Sequence, residues 1–303
     1  MLSICIPVYN FDITKLITEL VSQTNNVNSL VEIIIIDDAS TIEFQLINNR
    51  LSNIHKIKYV QLDENIGRSK IRNLFLKYIN FDYLLFLDCD SIIIESNFIQ
   101  KYLNEINNKG LVICGGTSYS STIPDKEFYL RWKYGLKREC LAVSIRKKSA
   151  YQSFMTNNFV VKAEILKLQP FDEQLTDYGH EDTLFGFALK QNKIPITHIN
   201  NTVDHDYDDD NAEFINKTEL ALKNLVKIRK FVKNDSFDSD IKILRIYKKI
   251  SFLKVQYILL IIYNILKRVI VILLIKNRGG LYLFDFYKLL YLSKQINKPE
   301  TDI

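Results

Sequence analysis

The chain has 303 residues, 47% hydrophobic and 25% charged, with 9 Gly and a formal net charge of +5. That balance excludes wholesale disorder, a collagen-like repeat and a disulfide-stapled miniprotein, and it suits one large domain with an appendage. Residues 241–303 hold 12 Lys or Arg against 3 Asp or Glu, a net of +9, while the first 240 hold 28 against 32, a net of −4. A basic tail on a slightly acidic body suits an anionic surface.

In chain order, residues 2–8 read as a buried strand, stopped by Pro7 and the turn-prone Asn10. Residues 13–22 have helical spacing. Residues 31–36 are apolar and β-branched and run into Asp37-Asp38; such a run suits a parallel strand covered on both faces. Residues 57–62 form a further short strand. Residues 68–79 are helical, with Ile71, Leu74, Phe75 and Tyr78 on one face. Residues 83–87 are an apolar strand that ends in Asp88-Cys89-Asp90, and 112–114 and 159–161 supply further strand candidates. Phe214, Thr218, Ala221, Leu225, Ile228 and Val232 recur at helical steps. The polar stretch 233–240 marks a domain boundary, giving a body over 1–232 and an extension over 233–303. Alternating strands and helices predict an α/β body with a mostly parallel, Rossmann-like sheet flanked by helices, and a helical C-terminal extension.

The four cysteines, Cys5, Cys89, Cys114 and Cys140, form no CxxC, and three sit in apolar runs. They read as packed thiols in a reducing compartment. The chain opens strand-like, without a basic leader, so a cytoplasmic location is expected.

In parallel sheets ligands bind beyond the carboxyl ends of strands, and two strands here end there in acidic pairs. Asp88 and Asp90, spaced D-x-D, could hold a hard divalent cation with diphosphate and water completing its shell; a solvated turn has the same pattern. Asp37-Asp38 could accept from a base or a ribose, or cap the next helix. Gly179-His180-Glu181-Asp182 opens a helical pattern, where a carboxylate is favoured by the helix dipole and well held for use as a base. His205 lies in an acidic run that continues to Asp210. It reads either as a structural histidine or as a cation ligand.

Taken in order, these motifs resemble the inverting, metal-dependent glycosyltransferases of family 2, which have the GT-A nucleotide-sugar fold. The similarity begins at Ser3-Ile4-Cys5-Ile6-Pro7-Val8-Tyr9-Asn10. It continues through Ile36-Asp37-Asp38-Ala39-Ser40, Asn65-Ile66-Gly67-Arg68 with Arg72-Asn73, and Leu87-Asp88-Cys89-Asp90. It closes with Asn157-Asn158-Phe159, Gly179-His180-Glu181-Asp182 and His205. It spans roughly residues 1–230 and leaves the tail uncovered. The resemblance implies that Pro7 and Tyr9 line a nucleoside pocket and that Asp38 bonds the base. It implies Arg68 facing the diphosphate, Asp88 on ribose or on the metal through water, and Asp90 with His205 on Mn²⁺ or Mg²⁺. Asp182 matches the catalytic base. The implied donor is a nucleotide sugar, UDP-linked by preference. The implied acceptor is a glycan or lipid-linked saccharide in surface polysaccharide synthesis. Arg131-Trp132 precedes Asp182 instead of following it, and Phe128 stands where processive synthases have Gln, so no processive polymerase is read. The segment 124–151, rich in Arg, Lys and aromatics, shapes an acceptor site or forms a surface loop.

Residues 255–275 are almost wholly apolar but contain Lys267-Arg268. The length would span a bilayer, yet two adjacent cations there cost about 5–7 kcal/mol. An in-plane or protein-packed helix is therefore expected for 255–275, with peripheral contact at the inner face of the cell membrane through 241–303 and an oligomer interface or a helix packed on the body as alternatives. Nucleic acid is excluded, because the body lacks a binding motif and the tail is too apolar. Two other function classes stay open: a catalytically silent nucleotide-sugar-binding scaffold, and a nucleotidyltransferase. The second would need a Gly-rich basic loop after the first strand, where Tyr9-Asn10-Phe11-Asp12 stands.

Overall fold

The computed structural model describes residues 1–205, 209–254 and 256–298. Its strands are β1 (Leu2–Val8), β2 (Val31–Asp37), β3 (Ile57–Gln61), β4 (Tyr83–Leu87), β5 (Ser91–Ile93), β6 (Val112–Cys114), β7 (Thr117–Ser118), β8 (Asn158–Lys162), β9 (Ile196–His198) and β10 (Val203–His205). The first helices are α1 (Thr14–Asn25), α2 (Ile42–Asn49), α3 (Arg68–Leu74), α4 (Phe98–Asn107), α5 (Tyr129–Tyr134), α6 (Val143–Lys148), α7 (Ala163–Leu168) and α8 (Glu181–Gln191). The remainder are α9 (Asn211–Val232), α10 (Asp235–Asp240), α11 (Lys242–Phe252), α12 (Gln256–Ile275) and α13 (Gly280–Ile296).

One sheet has the order β3-β2-β1-β4-β8-β6-β9, and β5, β10 and β7 form a second, small one. Strands β1 to β4 are parallel, whereas β8 runs antiparallel to both β4 and β6. The period of two in the apolar strands explains why both faces are covered. Ile4, Ile6, Ile33, Ile35 and Leu85 turn to one face, under Leu16, Ile17 and Leu20 of α1 and Phe98 and Tyr102 of α4. Cys5, Ile34, Ile36, Leu84 and Phe86 turn to the other, with Ile71 of α3 and Phe185 and Leu189 of α8. Each fully buried Ile, Leu or Phe stabilises the fold by about 1.5–3 kcal/mol. The expected helix 68–79 ends as an α-helix at Leu74, and one 3₁₀ turn, Phe75–Lys77, follows.

The chain forms two compact units. The first takes residues 1–119, 139–176 and 181–206; the second takes 120–138, 177–180 and 207–303. The division differs from the boundary expected at 233, because α9 shares its apolar face with the C-terminal helices. Within the second unit Phe214 of α9 meets Phe284 of α13 and Tyr134 of α5, with centroids 5.2 and 5.4 Å apart. Asp210 caps α9 by accepting from the Ala212 and Glu213 amides. The polar stretch after α9 is a corner. Lys233 is left-handed, Phe237 is buried, and Asp238 accepts from Arg229 Nε at 2.9 Å.

The segment 124–151 is divided between the units. Its Arg146 is buried: one guanidinium nitrogen lies 3.0 Å from His198 Nδ1 and the other donates to the Gly115 and Ile199 carbonyls. That cation closes the ends of β6 and β9 and is structural.

Candidate active site

Strands β2, β1 and β4 are neighbours and parallel, so their carboxyl ends place Asp37-Asp38, Pro7 with Tyr9, and Asp88 with Asp90 along one edge. The loops there are stitched together. The Asn10 amide donates to Ser40 Oγ at 2.9 Å, and the Thr41 amide donates to Asn10 Oδ1 at 2.8 Å. Asn10 and Ala39 both take left-handed φ, at 50° and 59°. The Tyr9 ring is 53% exposed and open to stacking, and Pro7, partly buried, sits inside β1 opposite Ile36.

The two aspartates after β2 have separate duties. Asp37 Oδ1 accepts from the Ser40 amide at 2.7 Å, and the Tyr59 hydroxyl donates to its Oδ2. Asp38 accepts from the Ile66 amide at 2.7 Å and the Gly67 amide at 3.1 Å. Asp38 thus holds the turn that starts α3, where Gly67 takes φ +82°. Burial pushes the Asp38 carboxyl up, against the two amides.

Arg72, which the motifs include but give no role, is the hub. It is 2% exposed; its Nη2 bonds Asp88 Oδ1 at 3.1 Å and its Nη1 lies 3.9 Å from Glu181 Oε1. Arg68, at the start of α3 and largely exposed, reaches the same Glu181 oxygen at 3.4 Å. Asp88, expected on ribose or metal, is therefore paired with a buried guanidinium. Helix spacing of four explains the pair, since Arg68 and Arg72 share one face of α3.

Glu181 and Asp182 open α8, and their surroundings drive their basicities apart. Burial raises the Glu181 carboxyl, but Arg72 and then Arg68 outweigh it and hold it below the usual range. For Asp182, burial and then the Glu181 charge push the carboxyl up to about 6. Among the described residues its hydrogen bonds, from the Thr183 amide and hydroxyl, fall on Oδ1. Two adjacent carboxylates with divided pKa values are the arrangement expected of an acid–base site.

The third cluster comes from strand pairing. β10 runs antiparallel to β5, with His205 opposite Ser91, so the imidazole lands beside Asp90. His205 Nδ1 lies 3.4 Å from Asp90 Oδ1. Burial raises the Asp90 carboxyl, and the His205 hydrogen bond and charge bring it below its ordinary value. Asn157 precedes β8, which returns to the same edge because it is antiparallel to β4; its carbonyl accepts from the Asp88 amide at 3.1 Å. The Asn157 side-chain amide lies 2.6 Å from His205 Nε2. Of the acidic run after His205, Asp206, Tyr207 and Asp208 lie outside the described residues.

These residues fit a divalent cation. Among the described residues no group of three His, Cys, Asp or Glu side chains converges; Asp90 and His205 stand together there, and a diphosphate with water would complete a cation's shell. Asn157 Oδ1 is buried and meets no donor. Asn157 is thus free to present either its amide nitrogen or its carbonyl to Nε2. Turned over, its carbonyl accepts Nε2–H and leaves the Nδ1 lone pair facing Asp90, the tautomer a metal needs.

The sequence model described as "Glycosyl transferase family 2" matches residues 3–167, more than half of the chain. The chain belongs to glycosyl transferase family 2. An uncharacterized glycosyltransferase of Haemophilus influenzae is 28% identical over 192 residues, 61% of this chain and 70% of that one. A teichoic acid poly(glycerol phosphate) polymerase of Staphylococcus epidermidis is 29% identical over 152 residues, 48% of this chain; only 20% of the polymerase is spanned. Among solved structures, the mannosyltransferase PcManGT from Pyrobaculum calidifontis, in complex with GDP-Man and Mn²⁺, aligns over 97% of this chain and 86% of its own, with TM-score 0.63 and 14% identity. S. aureus TarS 1–349 in complex with UDP aligns over 100% and 94%, with TM-score 0.51 and 18% identity. At those identities the likeness shows the fold, the GT-A arrangement of α/β sheet and flanking helices. As a family 2 glycosyltransferase the chain is an enzyme of sugar transfer, and the matched span ends before Glu181, Asp182 and His205.

Proposed function

We propose that this glycosyltransferase moves a sugar, with inversion, from a nucleoside-diphosphate donor to a hydroxyl of a surface glycan or lipid-linked saccharide. One observation carries the reading: Asp182 opens α8 beside Glu181, whose carboxylate lies 3.4 Å from Arg68 and 3.9 Å from Arg72, and burial with that neighbouring charge raises Asp182 to about 6. Asp182 is deprotonated at neutral pH yet basic enough to take the acceptor proton as its oxygen attacks the anomeric carbon. A single displacement inverts the centre and needs no enzyme nucleophile. Glu181 is the counter-ion that keeps Arg68 and Arg72 in place. A UDP-sugar is the favoured donor, with Tyr9 and Pro7 beside the nucleoside and Asp38 shaping the turn that brings Arg68 to the diphosphate. Asp90 and His205 would hold Mn²⁺ or Mg²⁺, which when bound supplies charge stabilisation for the leaving diphosphate. The teichoic acid polymerase relative supports an acceptor of the cell surface. We assign the reaction to the cytoplasm, a reducing compartment that suits free thiols such as Cys5 and Cys114.

The test is a screen of UDP-, GDP- and dTDP-sugars for nucleotide release with and without Mn²⁺. Metal-dependent release with one donor is expected. Binding without turnover toward any acceptor sugar favours the silent scaffold, and neither binding nor turnover overturns the reading.

A further inference from the structure

The second unit carries an apolar face that its own packing leaves uncovered. On α12, Leu259, Tyr263, Ile270 and Leu274 are buried. Lys267 sits on that packed side, 3.3 Å from Glu219 and over the Tyr263 and Tyr291 rings. On the opposite side Ile258, Ile261, Ile265, Val269 and Ile272 are each more than half exposed, at steps of three and four. The helix is long and apolar enough to cross a membrane, but it packs one side on protein and pairs the cation on that side, Lys267, with Glu219. The stripe also ends in exposed aromatics, with Phe252 and Tyr257 at one end and Tyr282 past the other.

The charge around the stripe identifies its partner. Lys249, Lys254, Arg268, Lys276 and Arg278 are exposed, and none forms an ion pair among the described residues. Arg268 flanks the stripe and the others stand before and after α12. Stacking this face on a second copy would bring two such sets of cations together, which like-charge repulsion opposes. An apolar stripe rimmed by cations and aromatics has the chemistry of a helix lying in the headgroup layer of an anionic bilayer.

We infer that the α12 stripe docks in the plane of an anionic lipid bilayer, anchored by Ile side chains and steered by the flanking Lys and Arg. The inference is independent of the transfer chemistry, which is measured in solution without lipid.

The experiment is sedimentation of the full chain with vesicles of phosphatidylcholine alone and of equal parts phosphatidylcholine and phosphatidylglycerol. The chain is expected to pellet with the mixed vesicles and to be released by salt. Lys249→Gln and Lys254→Gln should each weaken partitioning about fivefold, the factor for one surface cation. Ile261→Ser with Ile265→Ser should abolish it while circular dichroism stays unchanged. Should the serine variant misfold, the lysine variants and the salt series decide alone. A chain that stays in the supernatant with both vesicles overturns the inference. So does a serine variant that still pellets, and so does one whose only change is from dimer to monomer in light scattering, which assigns the stripe to a second copy.

Discussion

The Asn157 side chain reaches His205 Nε2 at 2.6 Å, and His205 Nδ1 faces Asp90 at 3.4 Å. A residue that touches no phosphate thus decides which imidazole nitrogen carries a lone pair. Asn157→Ala should weaken Mn²⁺ binding in the presence of UDP by about 10–100-fold, the usual cost of losing such a partner. Titrating the free Mn²⁺ resonance signal measures it. Nitrogen chemical shifts of labelled His205 should also show the tautomer released. Unchanged affinity and unchanged tautomer would remove Asn157 from the site.

Asp182→Asn should lower turnover about 10²–10⁴-fold while sparing donor affinity, because Asn keeps the shape and cannot accept a proton. Glu181→Gln should act differently, loosening Arg68 and Arg72 and raising the KM for donor. If the Glu181 variant is dead and the Asp182 variant turns over normally, the base is one residue away.

The rate should also climb with pH through about 6, the region to which burial and Glu181 raise Asp182. The base works deprotonated, so activity is lost as pH falls below that value and is flat above it. Neutralising the neighbour, Glu181→Gln, removes a charge that raises Asp182 and should move the midpoint down. A pH–rate profile of kcat/KM for the two proteins checks the direction.

Asp38→Ala leaves the Ile66 and Gly67 amides without their carboxylate. Hydrogen bonds to a charged group are each worth about 1.5–3 kcal/mol, so urea unfolding should show a loss of at least that size. Nucleotide affinity should fall with it even without metal, since the same turn aims Arg68. A variant of normal stability and weak affinity would instead put Asp38 directly on the base.

Gly179 takes φ +89°, and a Cβ there would lie 2.7 Å from the Ala221 Cβ on α9. Gly179→Ala should cost about 1–3 kcal/mol from strain and crowding together. Compared with the Ala221→Gly single variant, which itself costs about 1 kcal/mol in the helix interior, the double variant should show the backbone share alone. Full rescue in thermal unfolding would show that the conformation costs nothing.

The long strands were legible because Leu2, Ile4 and Ile6, or Ile33 and Ile35, alternate with Cys5 and Ile34 in apolar runs that only a doubly covered sheet accommodates. The acidic pairs were legible for the same reason, as the first polar residues after such a run. The strands β5, β7, β9 and β10, two or three residues each, are too short to show a period, so nothing local placed His205 beside Asp90. Arg72 and Asn157 stood in the motifs without a role because their partners lie 16 and 48 residues away, brought near by pairing that no local pattern encodes. Asn73 had the same fate: it bonds the Phe171 carbonyl at 2.9 Å and receives the Phe171 amide. The boundary at 233 followed composition, while the division follows α9, whose apolar face needs α13.

The parallel run of β1, β2 and β4 has a practical side. The candidate site sits past their carboxyl ends, so the turn before β2, with exposed Asn28 and Ser29, is a strand's length of roughly 20 Å away. An affinity tag or a surface linker inserted between those two residues should leave nucleotide binding untouched. The same tag placed at Asn65, beside the turn that Asp38 clasps, should destroy it. A biosensor that presents this enzyme to dissolved sugars would therefore be tethered by its strand beginnings, with its strand ends facing the solution.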